Sequence, residues 1–427
     1  MIDVPATLAP ATGVALRYAV TPPHAGDPLW SSAVELPPLD GEFAPDDVPL
    51  SARFAGASGP SRSDALLRGA GEAVERRALH PSAAHPAVRG TAAEVGAVTL
   101  YAHHPGHALA HPDAATAVLD WHEARTLDTG APVLVPADLV NWPARNDVLF
   151  DPSPSGAAAG AGPDAALGAA LVEVAERDAL TVAWGRQLRL PTYTPAPEDT
   201  ALRAVWQRAE AEGLRPVLAR IPVAATGLWC MTALLIEPED PEDTEGDAAG
   251  AVPLATVGMK ASTRPAEAAV KAFQEARQVR AALRALRAQG GTGPRGPLVV
   301  TEHDRLSHML TRPAYDSVRA WADGFQEPTV LPGPSAAPPL PVRELTEAMN
   351  ADGAALLALD LTHRLPATVA AMGWKVMKVL APGYQNLRMD ETHRWSWHLP
   401  RLASAPERTG CPARLDDPLA AAPHPLP

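Results

Sequence analysis

Residues 155–180 read SGAAAGAGPDAALGAALVEVAERDAL, a run of small residues that leads into an alanine-rich helix. We expect the run to form a loop in which glycine lets backbones approach closely. The helix carries Glu173 and Glu176 three residues apart, so both side chains project from one face. A metal-bound phosphate would therefore meet no bulky side chain beside these two acids.

The same pattern occurs twice more in the chain. Residues 61–80 read SRSDALLRGAGEAVERRALH and place Glu72 and Glu75 at the same spacing. A third stretch, AEAAVKAFQEARQVR, carries an acid, an amide and an arginine, namely Glu275, Gln278 and Arg280. Each of the three predicted helices thus offers an acid and a second acid or amide about one turn later.

Paired carboxylates with neighbouring arginines are the groups that a magnesium–nucleotide site uses. Mg²⁺ takes oxygen ligands that it shares with substrate phosphates, and the planar guanidinium of arginine binds phosphate through two donors. A single such helix would be typical of a solvated face with weak surface ion pairs. Two near-identical copies and a related third favour a common site.

Composition limits the classes of protein to consider. The chain has 427 residues, of which 46% are hydrophobic, enough for two or three domains or one large α/β domain. A net charge of -13 argues against a bulk nucleic-acid binder. The two cysteines, Cys230 and Cys411, provide no disulfide framework and fit a reducing cytoplasm. No run reaches the ~18 apolar residues of a membrane-spanning helix, so we expect no membrane partner.

Alternating and helical periodicities predict an α/β chain of the α+β kind, with mixed β-sheets and several helices. Predicted strands lie within 51–60, 97–150, 215–238, 252–258, 354–360 and 374–381. Predicted helices cover 62–80, 113–125, 198–213, 264–286, 302–325 and 341–350. Ser63 or Asp64 is expected to cap the first of these helices.

Two further features each admit two interpretations. The run HHPGHALAH holds His103, His104, His107 and His111, which could bind a metal, but Pro105-Gly106 would break the helix that aligns them, and a loop is favoured. The last 25 residues look disordered and end in PHPLP. Such an end is typical of a frayed terminus, or of a polyproline-like ligand for a partner's aromatic groove.

Other nucleotide and hydrolase motifs are missing from the sequence. There is no GxxxxGK[ST] loop and no GxSxG elbow. The GAAAGAG run lacks the strand–glycine register of a dinucleotide fold.

Taken together, the three helices and the tail resemble the YcaO superfamily, in particular the D-protein type of cyclodehydratase that forms azoline rings in ribosomal peptides. The matching elements run from Ser61 to Arg76, from Gly156 to Ala179, from Ala268 to Arg280, and through Asp360–Thr362 and Val376–Gly383. On this resemblance, residues 1–50 are an N-terminal lead-in, 51–402 the catalytic domain and 403–427 a proline-rich tail.

The resemblance implies an ATP site without a P-loop, in which acidic side chains hold Mg²⁺ and the nucleotide phosphates. The implied metal ligands are Glu72, Glu75, Glu173 and Glu176. The implied ATP- or phosphate-binding residues are Ser61, Arg76, Arg177, Glu275, Gln278 and Arg280. The tail is expected to enter the active site, which makes the terminal carboxylate of Pro427 a candidate catalytic base.

The implied reaction is ATP-dependent cyclodehydration of a ribosomal precursor peptide, as in bacteriocin maturation, in the cytoplasm. The sequence contains no obvious leader-binding domain, so the resemblance implies a separate ThiF-like partner protein. The sequence does not decide whether the chain forms a homodimer. Thioamide or macroamidine formation, and a catalytically silent nucleotide-binding scaffold, stay open as alternatives.

This chain departs from the family pattern at two places. A glycine-lysine-glycine element often precedes the first helix, but residues 57–61 read ASGPS and contain no lysine. Ser155 stands where an asparagine often precedes the glycine of the second motif, and alanines stand at 157–159 and 161, where polar residues are expected. The carboxylates are all present, so nucleotide binding is still expected.

Overall fold

The computed structural model describes residues 2–24, 29–39, 43, 48–81, 88–97, 109–145, 147–225, 227–239, 252–290, 298–333 and 336–426. Its helices are α1 (Val4–Thr7), α2 (Leu50–Arg53), α3 (Arg62–Leu79), α4 (Pro163–Gly185), α5 (Thr200–Ala211), α6 (Pro265–Ala288), α7 (Glu302–His308), α8 (Arg312–Asp323), α9 (Val342–Ala351), α10 (Ala367–Ala371), α11 (Leu399–Ala403) and α12 (Ala405–Thr409).

The strands are β1 (Arg17–Thr21), β2 (Trp30–Glu35), β3 (Phe54–Gly59), β4 (Val88–Gly90), β5 (Leu119–Thr126), β6 (Pro132–Pro136), β7 (Ala157–Gly160), β8 (Tyr193–Thr194), β9 (Arg215–Ile221), β10 (Trp229–Ile236), β11 (Ala255–Ser262), β12 (Thr329–Val330), β13 (Leu357–Asp360) and β14 (Lys375–Leu380). These elements confirm the α+β class. Among the described residues, no helix has the length and apolar character needed to cross a bilayer.

The chain folds as two compact units, each of which is built from three separate segments of the sequence. The first contains Met1–Asp178, Pro341–Met389 and His393–Arg401, and the second contains Ala179–Leu340, Asp390–Thr392 and Leu402–Pro427. Each unit has its own sheets.

In the first unit, helix α3 packs against the antiparallel sheet β1–β2–β3. The approach is close because small residues face each other, and a side chain at Gly69 would collide with Ser32. The Ser32 hydroxyl donates to the Ala65 carbonyl at 2.7 Å and ties strand to helix. The small residues of the GAGEAVER stretch therefore allow the helix to approach the sheet closely.

A six-stranded sheet forms the rest of the framework of the first unit. Its order is β4-β5-β13-β14-β7, with β6 paired to β5. Strand β14 lies inside this sheet and pairs antiparallel with β13 and β7, so that Lys378 is opposite Leu359 on one side and Ala157 on the other. This register buries the lysine within the sheet, at 1% exposure.

In the second unit, helices α5 and α6 pack on the antiparallel sheet β11–β10–β9. The core includes Leu218, Met231, Leu235 and Phe273. Gly258 on β11 faces the α6 backbone at Ala272 and Ala276, where any side chain would collide. The predicted hairpin and the helix that follows β11 are both confirmed.

One predicted helix is wrong. Residues 113–125 form a short 3-10 turn and then strand β5, which begins at Leu119. Trp121 and Ala124 are buried, and Trp121 pairs across to Val88 and Pro136. Tertiary pairing on both edges overrides the helical propensity of the alanines.

Three local expectations also need correction. The predicted loop after Gly156 is strand β7, since Ala157–Gly160 pair with β14. The cap of α3 is neither Ser63 nor Asp64, because the Ser61 hydroxyl accepts from the Asp64 amide at 3.1 Å. The predicted disorder of the last 25 residues is wrong for 403–426, which pack within the second unit; Cys411, His424 and Leu426 are buried.

A buried cation in the first unit holds a neutral histidine. Arg364 donates to the ring Nε2 of His122 at 2.9 Å and to the amide oxygen of Asn141 at 2.8 Å. Burial and, to a smaller extent, the charge of Arg364 together lower the pKa of His122 to about 4. The imidazole must stay neutral to accept this bond.

We expect the free energy of unfolding to fall as pH decreases from 6.5 towards 4. In that window the unfolded chain binds a proton at His122 that the folded chain does not bind. His122→Gln keeps an acceptor for Arg364 but cannot titrate, so the difference between wild type and variant should change by up to about 3 kcal/mol across the window. Chemical denaturation at several pH values measures it, with His303→Gln as control. A pH-independent difference would contradict the assignment.

Candidate active site

Helix α3 presents one acidic face with a paired arginine. Arg76 contacts Glu75 directly and lies 3.3 Å from Glu72, one turn earlier. The Glu75 side chain is only 14% exposed. Helix spacing thus places Glu72, Glu75 and Arg76 together, as the sequence predicts.

Helix α4 repeats this arrangement in the first unit. Arg177 lies 3.4 Å from Glu173, four residues earlier. Glu176 is 2% exposed, which is unusual for a carboxylate and excludes the solvated-face interpretation for this position. The Glu173 carboxylate acts electrostatically on Glu75, so the two acidic helices face a common region.

Lys378 on β14 provides a cation that the motif analysis missed. Its ammonium donates to the carbonyl oxygens of Ser153 and Ser155 at 3.0 and 2.7 Å. It also interacts electrostatically with Glu173 and Glu75. The only sequence signal is a lysine on the same strand face as Val376 and Leu380, which are both buried.

The electrostatics of this region reflect burial of charge. Burial raises the pKa of Glu75 to about 8; Arg76 opposes the rise, while Glu173 and Glu72 add to it. Burial also lowers the pKa of Lys378 to about 8, against the effect of the two carboxylates. Such opposed shifts on neighbouring groups are typical of functional sites.

A small cavity lies beside these charges. It has a volume of about 30 Å³ and is bounded in part by Arg177, Lys378, Ser153 and Asp151. That is room for one or two water molecules. The cationic side chains of Arg177 and Lys378, together with Ser153 and Ser155, make one side of the cavity polar.

The loop after β14 is held by a network of ion pairs and hydrogen bonds centred on Asp178, which directly follows Glu176 and Arg177 in the sequence. Asp178 accepts from Arg401 at 3.0 and 2.6 Å and from the Gln385 amide at 2.8 Å. Arg401 also reaches Asp352 at 2.6 Å and stacks on Tyr384, 4.0 Å from the ring centre. The last residue of the ERD sequence therefore positions the Tyr384–Asn386 loop, a role that its place in the sequence did not reveal.

The third motif helix, α6, belongs to the second unit. The Glu275 carboxylate accepts from the Met259 amide at 2.7 Å and so ties α6 to β11. Arg280 pairs with Glu237 at 2.7 Å, and Gln278 is exposed. These contacts hold the second unit together; a nucleotide role for the three residues stays a prediction.

Two other predicted positions have separate outcomes. Ser61 caps α3, so its hydroxyl already has a structural partner, and phosphate binding there stays a prediction. Pro427 lies outside the described residues, as do His103, His104 and His107 of the histidine run.

Comparison with known families places these motifs in context. A family model described as YcaO cyclodehydratase, ATP- and Mg²⁺-binding, matches residues 56–385. The match covers both acidic helices, α6 and all of β14. A comparison with curated protein sequences gave no match.

Solved structures share the fold. YcaO from Methanopyrus kandleri bound with AMPPCP and Mg²⁺ aligns with a TM-score of 0.61 at 20% identity, over 90% of this chain and 89% of that one. A heterocyclase in complex with substrate and cofactor gives 0.66 at 17%, over 98% of this chain and 56% of that one. The E. coli microcin synthetase McbBCD complex with pro-MccB17 bound gives 0.60 at 12%, over 86% and 88%.

The residues present fit a magnesium ion shared with a nucleotide. Within the described part of the chain, no three His, Cys, Asp or Glu side chains form a metal cluster by themselves. Mg²⁺ usually takes one or two carboxylates and completes its shell with phosphate oxygens and water. Burial is the main cause of the raised pKa of Glu75, and repulsion from Glu173 and Glu72 adds to it; a bound cation would favour the ionised carboxylate.

We predict that Lys378→Met weakens Mg²⁺–ATP binding by about 10-fold or more. The change removes a buried cation that would offset the negative charge of the nucleotide phosphates. Titration calorimetry on the folded protein measures the affinity. Lys375→Met, at the start of the same strand, is the matched control. Equal affinity in both variants would contradict the assignment.

Proposed function

The chain belongs to the YcaO family of ATP- and Mg²⁺-binding cyclodehydratases, and from this premise we propose that it is an ATP-dependent peptide cyclodehydratase. Its substrate would be a ribosomal precursor peptide, and its products thiazoline and oxazoline rings made from Cys, Ser and Thr residues. The proposal is narrower than the family assignment, because amide activation in this fold also serves other products.

One observation carries the proposal: two helices present paired carboxylates and arginines to one buried region. Glu75 and Glu173 interact with each other and with Lys378. Like-charged groups this deeply placed are costly unless cations neutralise them. A nucleotide-bound Mg²⁺ would supply that charge, with Glu72 and Glu176 completing the acidic set.

The amide oxygen of the peptide is a poor leaving group, and its phosphorylation by ATP would make it a good one. The substrate Cys, Ser or Thr side chain loses its proton and attacks the carbon of the preceding amide. The resulting oxyanion takes the γ-phosphoryl group of ATP, and ADP departs. Loss of the amide proton and of phosphate then forms the C=N bond, so each ring costs the peptide one water and releases one ADP and one phosphate.

The roles of individual residues follow from their charges. Arg76, Arg177 and Lys378 would offset negative charge on the transferring phosphoryl group. When bound, Mg²⁺ supplies Lewis-acid stabilisation of the phosphate oxygens. On the family resemblance, we also propose nucleotide binding for Ser61, Glu275, Gln278 and Arg280, and a proton-accepting role for the terminal carboxylate of Pro427.

A partner protein is part of the proposal. The McbBCD structure is a complex with its precursor bound, and the heterocyclase structure contains its substrate. We propose that a ThiF-like protein binds the leader of the precursor and delivers the peptide to this chain. The cytoplasm would be the site of the reaction.

A silent scaffold is less well supported. The sequence lacks the glycine-lysine-glycine lysine before α3, but Lys378 places another buried cation among the same carboxylates. A nucleotide-binding scaffold would also keep both acidic pairs, so phosphate release in the reconstituted reaction decides between the two.

The test is reconstitution with the partner protein, the precursor peptide, ATP and Mg²⁺. We expect the peptide to lose the mass of one water per ring with matching phosphate release. Glu75→Gln and Glu176→Gln should each lower turnover by about 100-fold or more, in line with the loss of a group that stabilises the transition state. Glu347→Gln, at an exposed position on α9, is the control.

The outcomes separate the alternatives. Replacement of oxygen by sulfur in the peptide would indicate a thioamide-forming enzyme. An unchanged peptide with no phosphate released would contradict catalysis, and near-normal turnover of Glu75→Gln would contradict the metal assignment.

A further inference from the structure

The C-terminal segment is bound along the second unit by backbone hydrogen bonds. The Arg189 amide donates to the Pro412 carbonyl at 2.9 Å, and the Arg414 amide donates to the Arg186 carbonyl at 3.1 Å. Further along, the indole of the buried Trp184 donates to the Ala422 carbonyl at 2.7 Å. The segment is therefore fixed at both ends of its course.

A buried ion pair binds the next part of the segment. Arg305 is fully buried and lies 2.9 Å from the Glu391 carboxylate. The same guanidinium nitrogen donates to the His424 carbonyl at 3.1 Å. The same Glu391 oxygen accepts from the His424 amide at 3.3 Å. The two charges thus bind both backbone groups of a single tail residue.

The flanking prolines make this contact specific for one register. Pro423 and Pro425 carry no amide hydrogen, so neither can donate to Glu391. A shift of the tail by one residue in either direction would leave the carboxylate without this donor. Because only His424 in the Pro-His-Pro sequence has an N–H, the Arg305–Glu391 pair can bind the segment in one register only.

Packing alone does not explain a buried ion pair at this place. Desolvation makes such pairs weak contributors to stability, and apolar residues of similar size often serve as well. Their best-attested use is to specify register. The neighbouring cavity, lined by Trp184, Met309 and Pro423, is only about 10 Å³, so the segment fits closely.

We propose that Arg305, Glu391 and Trp184 are positioning residues that fix the register of residues 422–426 for catalysis. This inference rests on the proposed cyclodehydration, in which the end of the tail takes part. The three residues act through the tail and not on the substrate: they determine where residues 422–426 are held.

The experiment uses two substitutions at one tail position. His424→Pro removes the backbone donor to Glu391, whereas His424→Gln changes the side chain and keeps that donor. Hydrogen exchange at the amides of the C-terminal peptide that both variants keep, measured by mass spectrometry on the full chain, should speed up by about 10-fold for His424→Pro, as expected for the loss of a bond to a charged group. His424→Gln should stay close to wild type.

A double-variant cycle ties the contact to catalysis. Glu391→Gln and His424→Pro should each lower kcat with little change in the KM for ATP, and the combined variant should be no worse than the poorer single variant. Arg215→Gln, which breaks a half-exposed ion pair with Asp323, is the control. Additive losses, or equal exchange of the remaining C-terminal amides in His424→Pro and His424→Gln, would overturn the inference. The exchange measurement stands even if no peptide is turned over, so its failure is distinct from failure of the proposed function.

Discussion

The candidate site in the first unit depends on charged side chains from α3, α4 and β14 that lie close together and are largely shielded from water. Glu75, Glu173 and Lys378 interact electrostatically, and the burial of Lys378 is set by the pairing of β14 with β13 and β7. Gly160 on β7 lets α4 lie close to this sheet, because a side chain there would collide with the backbone at Ala166. The fold therefore creates the site by excluding water from charges, which is the condition under which a metal–phosphate ligand binds most favourably.

The sequence predicted what depends on local spacing. The acidic pairs with their arginines were found because residues three and four apart share a helix face. It did not predict what depends on pairing between distant segments. Lys378 is buried by strand register, and the 119–126 segment is a strand because partners lie on both of its edges. Asp178 was read as part of a motif, although it holds the Tyr384–Asn386 loop through Arg401.

The C-terminal tail is a second case in which contacts with distant segments override a prediction from local composition. Its composition is typical of disorder, yet residues 403–426 pack within the second unit. Proline lowers the entropy that an extended segment loses on binding, and Trp184 and the Arg305–Glu391 pair supply its backbone partners. No pattern in the tail itself indicates these partners, because they come from three separate places in the chain.

The central claim is that the acidic faces of α3 and α4 form the Mg²⁺–ATP site. A crystal structure of the protein with Mg²⁺ and a non-hydrolysable ATP analogue tests it most directly. We predict that the metal is bound by carboxylates from the set Glu72, Glu75, Glu173 and Glu176, with the phosphates near Arg76, Arg177 or Lys378. An analogue bound elsewhere, with Glu75 still paired only to Arg76 and Glu173 only to Arg177, would contradict the account.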